Sequence, residues 1–252
     1  MFQIISRISI LTVTLLATSV LAATPATAEP VPFKAVYTVR FLGTIFGARG
    51  ERELKKLDDG TWLLTSRAHN FLGTITEQSS FVMGKNNQII PREYQYHRTG
   101  IGPNRSTVLR FDWDKMQITT ENQGKTWDSP LEPGTQDKLS YQYMLRHDLV
   151  LAGLKNGATP IFTYRIADDD GVKEYSFKVV GAGRVKTPIG TFKTVQATRT
   201  DGNPKRKTNF WLAPAYNYLL IRFEQTEPNG RGFELQLRQA EFNGKRVSVT
   251  GD

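Results

Sequence analysis

Cysteine is absent from all 252 residues. That excludes disulfides, thiolate chemistry and any cysteine-ligated zinc or iron–sulfur site. Histidine is scarce, with only His69, His97 and His147. They fall on two expected strands and one helix without H-x-H or H-E-x-x-H spacing, so no metal site is expected. Acidic residues are the minority, 24 against 33 Lys and Arg, for a formal net charge of +9. They crowd in Asp168-Asp169-Asp170-Gly171. That run lacks the D-x-D-x-D-G-x5-E arrangement of a calcium loop, and a hairpin turn accounts for it. There is no G-x-S-x-G elbow for a nucleophilic serine. Gly181-Ala182-Gly183 has Lys186 where a dinucleotide loop needs its next glycine and opens no helix. No nucleotide and no other cofactor is therefore expected.

Long apolar runs are missing from the body of the chain, and the exception is N-terminal. Arg7 is the only charge before Glu29, and Ile8 to Ala23 is apolar or small apart from scattered Ser and Thr. Sixteen helical residues rise roughly 24 Å, short of a hydrocarbon core of about 30 Å. Ala26-Thr27-Ala28 places small residues where a signal peptidase reads. Residues 1–28 are thus expected to be a cleaved secretory signal, with cuts after Ala22 or Ala23 as alternatives. Residues 29–252 are expected to form a single exported domain with no transmembrane segment, in the periplasm. Losing Arg7 lowers the net charge by one. A basic protein outside the cytoplasm meets anionic phospholipid or acidic wall polymer before nucleic acid, so no nucleic-acid partner is expected.

What is present is strand and turn. Phe33, Ala35, Tyr37, Val39 and Phe41 alternate with Lys34, Thr38 and Arg40, the period of a half-buried strand. Asp58-Asp59-Gly60, Gly84 to Asn87, Asn122-Gln123-Gly124, Pro228-Asn229-Gly230 and Asn243-Gly244 punctuate similar runs. Turn signals every 8–12 residues indicate antiparallel pairing. Ile90, Tyr94 and Tyr96 share an expected face with Arg92 and Arg98. Phe210 and Leu212 face opposite Trp211, so both faces there are expected to be covered, with Trp211→Ala costing about 3 kcal/mol. One segment departs from the pattern. Asp137 can cap a helix from Lys138 to about Ala152, ended by Gly153, with Leu139, Tyr143, Arg146, His147 and Val150 on one face. Phe41-Leu42-Gly43-Thr44-Ile45 recurs as Phe71-Leu72-Gly73-Thr74-Ile75. If Leu57 pairs with Thr61, Gly43 lies opposite Ile75, leaving a bend or a thin spot in the sheet.

Several segments carry a family resemblance. They are Gly190-Thr191-Phe192-Lys193-Thr194-Val195, Phe210-Trp211-Leu212-Ala213-Pro214 and Tyr218-Leu219-Leu220-Ile221-Arg222. Phe33 to Tyr37, Gln88-Ile89-Ile90-Pro91 with Tyr94 and Tyr96, and Asp137 to Tyr141 agree with them. Together, from about Phe33 to Phe242, they resemble the bacterial exported family catalogued as domain of unknown function 3108, with Leu220 where that family has proline. The resemblance implies an exported antiparallel β domain and assigns no catalytic residue.

The expected fold is mainly β: a large, strongly curved antiparallel sheet, open or closed like a barrel, with one substantial helix; a β-sandwich is the alternative. Large curved sheets leave apolar cavities that hold ligands. The leading expectation is a carrier for an apolar or amphipathic envelope molecule such as a lipid. Arg92, Arg98, Arg105, Lys205, Arg206 and Lys207 would form a basic rim for an anionic headgroup. The alternatives are an interaction module with an envelope protein partner, using exposed strand edges, and a hydrolase with an unrecognised site.

Overall fold

A computed structural model describes residues 29–154, 157–202 and 205–248. The expected signal segment lies outside them. The first half is a meander of eight strands: β1 (Phe33–Leu42), β2 (Gly47–Lys56), β3 (Trp62–Asn70), β4 (Gly73–Met83), β5 (Ile89–Gly100), β6 (Arg105–Asp112), β7 (Gln117–Asn122) and β8 (Lys125–Pro130). A two-residue strand β9 (Gln136–Asp137) leads into helix α1 (Ser140–Ala152). A second meander follows: β10 (Ile161–Asp168), β11 (Gly171–Thr187), β12 (Gly190–Arg199), β13 (Lys207–Ala213), β14 (Leu219–Thr226) and β15 (Gly232–Phe242), with a short β16 (Lys245–Arg246) on its edge.

The two meanders are one sheet because β1 pairs with β15, Phe33 opposite Phe242 and Phe41 opposite Phe233. The edges are β8 and β9. Laid flat, fifteen strands would span about 65 Å. Yet residues 131–135 join one edge to the other, and that linker reaches about 22 Å at most. The sheet must therefore curl, and it does so without its edges joining by hydrogen bonds. Bulges at Val36/Tyr37, Ser80/Phe81, Val179/Gly181 and Trp211/Leu212 add local twist and bend. Pairing is antiparallel throughout the described residues except for β9, which runs parallel to β10.

The helix lies inside the curl. The helix starts two residues later than expected, with Ser140 as its first residue and Leu139 at the N-cap position, and Asp137 serves it from just ahead. Asp137 Oδ1 accepts from the Leu139 and Ser140 amides, 2.7 Å each. Gly153 closes the other end with φ 49°. Burial extends around the helix more widely than one stripe: Tyr141, Leu145 and Leu149 are inside along with Tyr143, Arg146 and His147, whereas Leu151 is exposed. Tyr143 stacks on Phe81 (5.6 Å) and Tyr141 on Phe177 (5.5 Å), so the helix joins the two meanders.

Two sequence expectations are corrected. The repeat does not pair with itself. The register from Leu57 and Thr61 does extend to Arg49 opposite His69. The chain turns at residues 43–46, however, so one copy forms the β1–β2 tip and the other the β3–β4 tip. Trp211 is only half-buried on the outer face, under the Arg222 guanidinium at 4.7 Å, while Phe210 and Leu212 fill the interior. Trp211→Ala is therefore expected to cost about 1 kcal/mol, read as a shift of the urea midpoint at constant slope.

Candidate binding cavity

Strand direction places the tips 43–46, 71–72, 101–104, 123–124, 169–170, 200–202 with 205–206, and 227–231 at one end of the curl. Below that end, and above the start of α1, the sheet curves around a cavity of about 820 Å³ that is open to solvent. A side chamber of about 590 Å³ shares Glu77, Tyr96 and Lys138 with it. The apolar interior expected from the strand faces is largely occupied by the helix and the aromatic core. The remaining space is mixed. Tyr141, Tyr175, Phe223, Phe233 and Leu235 form one wall, and Arg52, Glu77, Lys138 and Arg199 project polar groups into it.

Arg52 comes from β2, where Gly50, Arg52 and Leu54 are the buried phase. It is nine-tenths buried. One terminal nitrogen donates to Gln142 Oε1 on α1 (2.9 Å), and its Nε has no hydrogen-bond partner. Burial pushes the guanidinium below the ordinary arginine range, opposed by Tyr37 and Glu77. Even so, an arginine keeps its charge at neutral pH. Glu77 occupies the inward phase of β4, with Ile75 and Phe81. Burial raises its carboxyl, although the Tyr94 hydroxyl donates to it (2.7 Å) and Arg52 and Lys138 pull the other way. Lys138, just past edge strand β9, pairs with Asp169 in the β10–β11 turn (3.2 Å). Arg199 lies flat on Tyr175, 3.5 Å from the ring centre, and pairs with Asp201 (2.7 Å). Cations on a wall of rings can receive an acidic group and the apolar body attached to it.

The six expected rim residues separate. Arg98 and Arg105 are cross-strand partners at the tip end of β5 and β6, and Arg105 lines the side chamber. Arg206 lines the main cavity and is tied to Glu227 (2.7 Å). Lys205 and Lys207 are exposed beside it. Arg92 does not belong with them. The buried phase of β5 shifts between Pro91 and Tyr94, turning Arg92 outward, and it lies about 20 Å from Arg98 along the strand. Sequence reading missed Arg52, Glu77, Lys138 and Arg199. The available signal was a charge on the apolar phase of an alternating strand, as in Gly50-x-Arg52-x-Leu54.

A sequence model of the family described as protein of unknown function DUF3108 matches residues 59–238. The chain belongs to that family. In this DUF3108 chain the matched span includes Glu77, Lys138 and Arg199, while Arg52 is supplied by β2, ahead of it. Among solved structures, the chain is similar to a beta-barrel-like protein of domain of unknown function DUF1849 from Brucella abortus. Identity is 14% and the TM-score 0.50, over 84% of this chain and 98% of that one. A structure from Parabacteroides distasonis, provisionally described as a lipoprotein, aligns at 10% identity with a TM-score of 0.32, over 84% and 96% of the two chains. The first likeness supports the barrel-like fold alone, and the second carries no argument. A comparison with curated proteins finds no match.

Proposed function

We propose that this DUF3108 chain is a carrier for an amphipathic molecule with an acidic headgroup, acting outside the cytoplasm, in the periplasm. The observation that carries the reading is Arg52: a nine-tenths buried cation on the wall of a solvent-open cavity of about 820 Å³, which it shares with Tyr141, Phe223 and Leu235. Ligand pockets commonly fall between 300 and 1,000 Å³. The acidic group meets Arg52, and the apolar body lies along Phe223, Phe233 and Leu235. Arg98, Arg105 and the Lys205-Arg206-Lys207 turn attract the headgroup on entry, and export follows from the N-terminal leader.

Titrating a fatty acid into the protein by calorimetry tests the reading. Arg52→Met should weaken binding about tenfold to a hundredfold, the range of a charge-assisted hydrogen bond. An unchanged affinity would remove Arg52 from the site and the reading with it. Glu77 sets the pH dependence. Its carboxyl is raised, so it takes up a proton at a higher pH than an ordinary glutamate. Above that pH its negative charge offsets Arg52 and repels an acidic ligand. Affinity should therefore strengthen as pH falls and Glu77 is neutralised, with proton uptake on binding. Glu77→Gln should flatten this dependence at the high-affinity level.

A further inference from the structure

We infer that the β1–β2, β3–β4 and β5–β6 tips together form a docking surface for an anionic lipid bilayer. Large apolar side chains point outward from all three: Ile45 is 96% exposed, Phe71 83% and Ile101 72%. They form a connected platform. The Phe46 and Phe71 rings meet edge-on at 6.1 Å. The Ile101 amide donates to the Leu72 carbonyl at 2.8 Å. Gly73 and Gly100 face each other across β4 and β5 with no room for a side chain. A Cβ on Gly73 would come within 2.3 Å of the Thr99 carbonyl oxygen, and one on Gly100 within 2.4 Å of the Gly73 Cα. The repeated Phe-Leu-Gly-Thr-Ile segment thus supplies two neighbouring tips of this platform.

Charge identifies the occupant. Residues 41–49, 68–76 and 97–105 contain no Asp or Glu, but do contain Arg49, Arg98 and Arg105 with His69 and His97. Arg49 is tied to Glu51 just below its tip. The acidic residues at this end, Asp169, Asp170, Asp201 and Glu227, lie on the other tips and are each paired with a cation. At the opposite end the 57–61 turn carries Asp58-Asp59, the 113–116 turn Asp114-Lys115 and the 84–88 turn Lys85. Apolar side chains in front of a cationic band match the acyl layer and headgroup layer of an acidic membrane. The platform also adjoins the cavity, because Ile75 lines both the groove between these tips and the cavity wall. The surface would thus deliver the ligand of the proposed carrier, although docking itself does not require the cavity to bind anything.

The absence of cysteine makes the test direct. In the full chain, Asn104→Cys, labelled with an environment-sensitive fluorophore, places one probe on the platform, and Asp58→Cys places one at the far end. With vesicles containing about 30% phosphatidylglycerol, the Asn104 probe should shift to the blue and be quenched by lipid-borne quenchers, while the Asp58 probe does not change. Combining Ile45→Ser, Phe71→Ser and Ile101→Ser should weaken the response at least about tenfold without changing the thermal melt. About 1 M salt should weaken it further, as screening shortens to ~3 Å. Equal response of both probes, or indifference to the triple change, would overturn the inference. So would a probe shift that follows protein concentration without vesicles, which would mark a second copy as the occupant. Arg52→Met should leave the vesicle response intact, so failure of the cavity reading and failure of docking are separable.

Discussion

Phe210→Ala is expected to lower the unfolding free energy by about 4 kcal/mol, the range found for removing a fully buried aromatic ring. Phe210 sits on the inner phase of β13 with its ring edge-on to Phe223 (4.9 Å) and Phe177 (5.6 Å), and within 6.5 Å of Tyr141 on the helix. Those neighbours come from β14, β11 and α1, three elements that contact one another through this ring. They cannot close the gap without shifting the helix against the sheet, so the cavity term adds to the lost transfer energy. Urea melts of the variant should show a large fall in midpoint at unchanged slope. Tyr141 also lines the binding cavity, so ligand affinity should fall in the same variant. A loss under about 2 kcal/mol would show that the helix repacks freely against β11–β14.

Alternation made the sheet legible, while the choice of face was less so. In Phe210-Trp211-Leu212 all three residues are apolar, and period two separates Trp211 from its neighbours without saying which side is inside. The larger ring turned out to be outside, covered by Arg222, because the bulge at Trp211/Leu212 and the pairing with Phe223 hold Phe210 inward. The curl of the sheet was inferable only as a need to cover apolar faces. What determines it is the short crossing from β8 to β9, a link between distant edges that local pattern does not record. The same holds for the cavity. Arg52 and Glu77 flank Ser66 on neighbouring strands, and each alone looks like an ordinary strand charge; the curl is what sets Lys138 and Arg199 of the other half around the same space. Arg98 and Arg105 fall side by side at one end because a single hairpin joins them. Arg92 failed since the burial phase slips within β5, a shift invisible to strict alternation.

Asp137 provides the sharpest test of the interior. Its carboxylate is fully buried and accepts three hydrogen bonds, from Ser79 Oγ (2.6 Å) and from the Leu139 and Ser140 amides (2.7 Å each). The Asp137 amide in turn donates to Ser140 Oγ (2.9 Å). This reciprocal cap starts α1 and ties it to β4. Burial outweighs these bonds and pushes the carboxyl up to about 6 from 3.8. A raised carboxyl binds more protons folded than unfolded, so its contribution to stability is full below about pH 4 and is lost as pH rises through about 6. A shift of about two units corresponds to about 3 kcal/mol. Asp137→Asn keeps an oxygen for the two amides and removes the buried charge. It should match or exceed the unsubstituted protein at pH 7, and that advantage should shrink as pH falls from about 6 to 4. Asp137→Ala leaves two helix-start amides and the Ser79 hydroxyl without their acceptor, and should be about 3 kcal/mol less stable than Asp137→Asn at every pH in that range. Urea melts of the three proteins at pH 4, 5.5 and 7 decide the matter. A stability difference between the Asn variant and the unsubstituted protein that does not change with pH would mean that Asp137 ionises as an ordinary carboxylate, and that the start of the helix is open to water.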